Sequence, residues 1–135
     1  MSVVLDTTFA LALYGRRDPH HARAAAWYRS TDEDLVATPL VVAELDRRLP
    51  EAARPPWWED LDGAWAVRWW ADGMRDTLAV VREHPALGLT RASLVALTRV
   101  LRTTRIATFD DGFRSLTTPD GQPLQLLPDR EDRPA

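Results

Sequence analysis

Cysteine, lysine and asparagine are all absent from this 135-residue chain. The absence of cysteine excludes a disulfide framework and a thiolate metal site, and it is compatible with a reducing compartment. All 17 basic residues are arginine, which stays charged and binds phosphate with two donors. No run approaches the roughly 18 consecutive apolar residues of a membrane span. The start MSVVLD has no basic region and no long apolar region of a signal peptide. We therefore expect a cytoplasmic protein with no membrane segment.

The composition is that of an ordinary globular protein, with 45% hydrophobic and 27% charged residues. Its length suits a single domain with a real core, which we predict to cover residues 1–127. The polar segment 128–135 contains two prolines and is predicted to be a flexible tail. The net charge of -3 argues against a protein that coats nucleic acid through bulk charge, although local basic patches remain compatible with it.

Short apolar runs alternate with helical patterns along the chain. The pair Thr38-Pro39 has the form of a helix N-cap followed by proline, and Asp18-Pro19 repeats it. The predicted strands are residues 3–5, 35–37, 105–109 and 124–127; the predicted helices are 7–15, 18–29, 38–49, 72–83 and 92–102. This alternation predicts an α/β fold with a mostly parallel sheet.

The segment WWEDLDGAWAVRWW holds five of the six tryptophans and admits two interpretations. A helix would place Trp58, Leu61, Trp65 and Trp69 on one stripe. A strand over 64–70 would instead alternate, and the aromatic enrichment after Gly63 favours it. Trp57 and Trp70 fit neither pattern well, so we predict that they form an exposed apolar patch that meets a second subunit or a helix of a partner protein.

Acidic residues follow two of the predicted strands. Asp6 ends the first strand, Asp110 ends the strand over 105–109, and Glu44 lies in the helix that follows residues 35–37. Sites in open α/β sheets form outside the carboxyl ends of the strands, so the three carboxylates are expected to converge. Oxygen ligands of this kind suit Mg²⁺ or Mn²⁺. Each acid taken alone also has a plainer interpretation, as a helix cap or a solvated side chain.

Five segments, in this order, carry a family resemblance: VVLDTTFALALYGRRDPHHARA, VATPLVVAELDRRL, LGLTRASLVAL, RIATFDDGFRSL and PLQLLPD. Together they resemble a PIN domain, and most of all the VapC-type toxins of bacterial toxin–antitoxin pairs. The resemblance covers nearly the whole chain except residues 50–75.

The resemblance implies a PIN-like three-layer fold with a central, mostly parallel sheet of about five strands flanked by helices. It also implies a metal-dependent endoribonuclease toxin, a homodimer, an RNA substrate and a cognate antitoxin. The family's catalytic and metal-binding acids map onto Asp6, Glu44 and Asp110, with Mg²⁺ or Mn²⁺ as the cofactor. Thr108 matches the family's hydroxyl residue, and Thr7 is a further supporting candidate.

Arg91 stands where the family usually has a fourth acid. A guanidinium there is expected to pair with Asp6 or Asp110 and to repel a divalent ion by several kcal/mol at about 4 Å, for an effective dielectric constant of about 20. Three alternatives remain open: Asp111 compensates, Arg91 turns outward, or Arg91 holds an RNA phosphate. We therefore predict a nuclease with reduced or lost activity, and the rival function is a non-catalytic PIN-fold module that binds RNA or antitoxin.

Two arginine pairs are candidate RNA contacts, although most exposed arginines simply face solvent and bind nothing. They are Arg16-Arg17 and Arg47-Arg48.

Overall fold

A computed structural model describes residues 2–129 of the chain. The predicted tail therefore falls largely on residues 130–135, which lie outside the described residues. In chain order the elements are β1 (Ser2–Leu5), α1 (Thr7–Tyr14), α2 (His21–Ser30), β2 (Asp34–Ala37), α3 (Pro39–Arg48), α4 (Arg54–Gly63), β3 (Trp65–Val67), α5 (Gly73–Glu83), α6 (Gly88–Leu101), β4 (Arg105–Ala107) and β5 (Gln125–Leu127).

The five strands form one parallel sheet in the order β3-β2-β1-β4-β5, which confirms the predicted fold class. The central strand β1 pairs with β2 through Val3 and Leu35, and with β4 through Val4 and Ile106. Val3, Val4 and Ile106 are fully buried, because helices cover both faces of a parallel sheet. All five strands run the same way, so the residues that follow them meet at one edge.

Two predicted helix starts are wrong. Helix α2 begins at His21, not at Asp18-Pro19, and the Asp18 carboxylate accepts a hydrogen bond from the His20 backbone within a turn. Helix α6 begins at Gly88, four residues before the predicted start at Ala92, so Thr90 lies inside the helix. Gly88 has a φ of 73°, which lets the chain turn from a 3-10 turn over Pro85–Leu87 into α6. This earlier start places Arg91 in the first turn.

The predicted start of α3 is correct, and its cap residue also contacts α6. Thr38 caps the helix by accepting a hydrogen bond from Val41 N, and Pro39 is the first helical residue. The Thr38 hydroxyl lies 2.9 Å from the hydroxyl of Ser93 in α6, and both side chains are fully buried. The start of α3 is therefore tied to the first half of α6.

The tryptophan-rich segment combines both interpretations. Its first part is helical, as α4, and its second part is a strand of only three residues, β3. The preferred strand over 64–70 is therefore too long, because pairing with β2 ends at Val67.

The prediction of an exposed patch from Trp57 and Trp70 is wrong. Trp57 is fully buried against Trp65, with ring centroids 5.0 Å apart. Trp70 packs partly against the core, and its indole nitrogen donates to Asp76. The more exposed tryptophans are Trp58 and Trp69. Tertiary packing, not the local period, decided which indoles face the core.

Within residues 2–129, no helix is long and apolar enough to cross a membrane.

Candidate active site

The three predicted acids line one cavity of about 360 Å³ at the carboxyl edge of the sheet. Asp6 follows β1, Glu44 lies in α3 and Asp110 follows β4. The rest of the wall is formed by Thr7, Thr8, Arg48, Leu87, Gly88, Leu89, Thr90 and Arg91. Residues far apart in the chain thus meet in a cleft that the start of α6 closes on one side.

Asp6 is the buried acid of this cavity, with 2% of its surface exposed. It caps α1 by accepting a hydrogen bond from Thr8 N. Its Oδ2 also accepts from the Thr8 hydroxyl at 2.5 Å and the Thr108 hydroxyl at 2.7 Å. Burial raises the pKa of the Asp6 carboxyl above its ordinary value of 3.8, and these hydrogen bonds oppose only part of that shift.

Two hydroxyls connect Asp6 to the end of β4. Thr8 Oγ1 accepts from Phe109 N at 3.0 Å, and Thr108 Oγ1 accepts from Asp110 N at 2.9 Å. Thr108 thus lies between Asp6 and Asp110, at the position the sequence singled out. Thr8 was missed in favour of Thr7, whose buried hydroxyl has no hydrogen-bond partner among residues 2–129. The sequence could have indicated Thr8, because an N-cap carboxylate such as that of Asp6 accepts a hydrogen bond from the residue two positions later.

Both oxygens of Asp110 are engaged. Oδ1 accepts from Gly112 N at 2.8 Å, which caps the 3-10 turn over Asp111–Phe113. Oδ2 accepts from Arg91 Nη1 at 3.0 Å, and the two side chains are 27% and 35% exposed. The sequence predicted that Arg91 pairs with Asp6 or Asp110, and the structure has it paired with Asp110.

Arg91 is held from three directions. Its Nε donates to Leu87 O and its Nη2 donates to Ala86 O, both at 2.8 Å, while Nη1 donates to Asp110. Side chains in a helix lean toward its N-terminus, so a residue in the first turn reaches the carbonyls that precede it. Arg91 does not turn outward; it is fixed across the cavity wall.

Glu44 also has a cationic partner. Its Oε1 accepts from Arg48 Nη1 at 3.0 Å, one helical turn away in α3. The other candidate RNA arginines lie elsewhere. Arg47 does not line the acidic cavity, and Arg16 and Arg17 line a separate groove beside Tyr14 and Pro50. The structure therefore brings only Arg48 of that set to the acids.

Asp111 does not join the acidic cavity. It lines a neighbouring cavity with His20 and Phe109, and its carboxylate accepts from Arg114 at 2.9 Å. The compensation suggested for Asp111 thus has no support in this arrangement.

Both carboxylate oxygens of Asp110, and one oxygen each of Asp6 and Glu44, already accept hydrogen bonds. Asp110 is bound by Arg91 and Gly112, Glu44 by Arg48, and Asp6 by two hydroxyls. Among residues 2–129, no group of three or more histidine, aspartate and glutamate side chains is arranged to hold a metal ion. This side-chain arrangement does not fit a divalent cation.

The structure is thus that of an α/β protein with a five-stranded parallel sheet and three acids in a cavity at the carboxyl edge of that sheet. The family model for the PIN domain matches residues 3–118, and the chain therefore belongs to the PIN domain family.

Two solved structures show the same fold. The VapC20 toxin of Mycobacterium tuberculosis, described as cleaving the sarcin–ricin loop, matches with a TM-score of 0.71 and 20% identity, over 82% of this chain and 91% of that one. FitAcB of Neisseria gonorrhoeae matches with a TM-score of 0.54 and 22% identity, over 83% and 89% of the two chains. No curated protein matches the sequence.

Proposed function

We propose that this chain is a VapC-like PIN-domain protein of the toxin–antitoxin type whose metal-dependent ribonuclease activity is strongly reduced or lost. The observation that carries the proposal is the 3.0 Å contact between Arg91 and Asp110. It places a guanidinium on one of the acids that the resemblance assigns to metal binding. The family membership and the likeness to a sarcin–ricin-loop-cleaving toxin support the nuclease ancestry of the site.

The charge of the cavity supports reduced activity. Three carboxylates and two guanidiniums line it, so its formal charge is -1. An aspartate at position 91 would make that charge -3, which is far more favourable for a divalent ion. Repulsion between a divalent ion and a guanidinium about 4 Å away is on the order of several kcal/mol at an effective dielectric constant of about 20. Partial exposure of Arg91 screens part of this repulsion.

RNA is the substrate class we propose, and a protein antitoxin and a second copy of the chain are the proposed partners. The family resemblance and the fold shared with VapC20 support these proposals. The candidate catalytic set remains Asp6, Glu44 and Asp110, supported by Thr108 and Thr8.

Cleavage of an end-labelled RNA under Mg²⁺ or Mn²⁺ titration tests the proposal. We expect little or no cleavage by the wild type, and cleavage at least about 100-fold faster by Arg91→Asp, because the substitution restores an acid and removes a cation. Adding Asp6→Asn to Arg91→Asp should abolish the gained activity. Arg75→Asp is the matched control, since Arg75 is exposed on α5 and pairs only loosely with Asp72 at 3.9 Å.

Robust cleavage by the wild type that Asp6→Asn abolishes would overturn the proposal. Inactivity of both the wild type and Arg91→Asp would instead favour the second candidate function, a non-catalytic PIN-fold module that binds RNA or antitoxin. The specific observation favouring that candidate is that every acid of the cavity already has a hydrogen-bonding partner.

A further inference from the structure

The guanidinium of Arg91 is a preorganised cation inside the acidic cavity. Two backbone carbonyls and the Asp110 carboxylate hold it at 2.8 to 3.0 Å. An arginine fixed in this way loses little further side-chain entropy when it binds a ligand. Its position is therefore set before any ligand arrives.

Arg91 keeps donors for a ligand. A guanidinium carries five N–H groups, and the hydrogen bonds to Ala86, Leu87 and Asp110 use three of them. Within residues 2–129 this leaves one N–H on each terminal nitrogen. The side chain is 35% exposed and lines the cavity. Two donors on neighbouring nitrogens match the spacing of two phosphate oxygens.

The surroundings of Arg91 add positive potential. Helix α6 is 14 residues long, and no side chain caps its start. Its first residues Gly88, Leu89 and Thr90 line the cavity, so the positive end of the helix dipole faces the same space. Arg48 also lines the cavity, and its side chain is 47% exposed.

Each carboxylate of the cavity is either paired with an arginine or buried. Arg91 neutralises Asp110 and Arg48 neutralises Glu44, while Asp6 is 2% exposed behind two threonine hydroxyls. A phosphate in the cavity would thus meet two guanidiniums and a helix start before it met an unpaired carboxylate.

We infer that this cavity binds a phosphodiester of single-stranded RNA directly through Arg91, without a divalent metal ion. The inference rests on the proposed function for the choice of RNA. Its geometric basis is the cavity of about 360 Å³, which equals roughly a dozen waters at about 30 Å³ each. That space suits one phosphate with its sugar, which an extended single strand can present. Arg91 thus takes over the phosphate contact that a metal ion would otherwise provide.

Fluorescence anisotropy with a short 5′-labelled single-stranded RNA in EDTA tests this inference. We expect the wild type to bind, Arg91→Ala to bind about 10-fold more weakly, and Arg91→Lys to fall between them because lysine keeps the charge and loses the fork. The plot of log affinity against log salt concentration should become shallower by about 0.7 in slope for Arg91→Ala, because one phosphate contact to a single strand is lost. The matched control Arg75→Ala should bind like the wild type.

Thermal melting of each variant separates lost binding from lost folding, and Arg91→Lys keeps the test valid if Arg91→Ala unfolds. Equal affinity of Arg91→Ala, Arg91→Lys and the wild type would overturn the inference. So would RNA binding that appears only on addition of Mg²⁺, or an equal loss in Arg75→Ala. These outcomes are independent of the cleavage assay. Strong wild-type cleavage in Mg²⁺ or Mn²⁺ contradicts the proposed function, whereas absent or Arg91-independent binding in EDTA contradicts only this inference.

Discussion

Arg91 Nη1 lies 3.0 Å from Asp110 Oδ2, and this contact joins the first turn of α6 to the carboxyl end of β4. The pair spans 19 residues of sequence. It converts an acid at the edge of a PIN-type sheet into half of an ion pair. The ion pair thereby adds a cation to the wall of the acidic cavity.

Gly112 gives the ion pair its room. A Cβ at this position would lie 3.0 Å from Asp110 Oδ1 and 3.3 Å from Arg91 Nη1. We expect Gly112→Ala to destabilise the protein by about 1 kcal/mol, because the added methyl crowds both partners. Urea denaturation measures this change. In a double-mutant cycle with Arg91→Ala the cost should shrink, since one crowded partner is gone.

Gly63→Ala is the matched control, because a Cβ there meets no atom within 4 Å and Gly63 is the last residue of α4. It should be neutral or slightly stabilising. An equal loss of stability in the two variants would show that crowding at the ion pair is not the cause.

Asp6→Asn should raise stability at neutral pH in EDTA. Burial raises the folded-state pKa of Asp6 above 3.8, so the folded protein holds this proton over a pH range where the unfolded chain has released it. The contribution of Asp6 to the stability of the wild type therefore falls as pH rises from about 3.8 through the folded pKa. Thermal melts from pH 4 to 8 should show the advantage of Asp6→Asn growing with pH. An advantage that shrinks with rising pH would contradict this account of Asp6.

Trp57→Ala should cost about 3–5 kcal/mol of stability, because a fully buried indole leaves a large cavity. Trp58→Ala is the matched control on the same helix. Trp58 is 51% exposed, although its indole nitrogen donates to Asp46, and its removal should cost less than about 1 kcal/mol. Chemical denaturation of both variants measures the difference, and similar losses would argue against the burial of Trp57.

Tyr14→Phe should change the response to alkali. The Tyr14 hydroxyl donates to Asp60 Oδ2 at 2.5 Å, and burial raises its pKa above the ordinary value of 10.0. The unfolded chain releases this proton first, so the contribution of Tyr14 to wild-type stability falls as pH rises above about 10. Tyr14→Phe has no hydroxyl to titrate, so its stability does not show this fall. At pH 8 it should be about 1–2 kcal/mol less stable than the wild type, because the hydrogen bond to Asp60 is missing. Parallel urea titrations at pH 8 and 10.5 should show the gap between the two proteins narrowing; a constant gap would be contrary to expectation.

The sequence by itself determined the α/β class, the parallel sheet and the placement of Asp6 and Asp110 at strand ends. Short apolar runs followed by caps are local signals, and the parallel direction of the strands brings their ends to one edge. The Thr38-Pro39 helix start was likewise readable, because a cap and a proline act on their own backbone.

Tertiary structure decided where Arg91 points and which tryptophans are buried. The start of α6 at Gly88 depends on the preceding turn, and that start sets which carbonyls and which carboxylate the guanidinium reaches. Trp57 is buried because α4 packs its ring against Trp65 of β3, a contact that no local period encodes. Local chemistry therefore indicated the order of strands and helices and the acids that follow them. Long-range packing decided where several elements begin and end, and which side chains the acids contact, because both depend on residues distant in the chain.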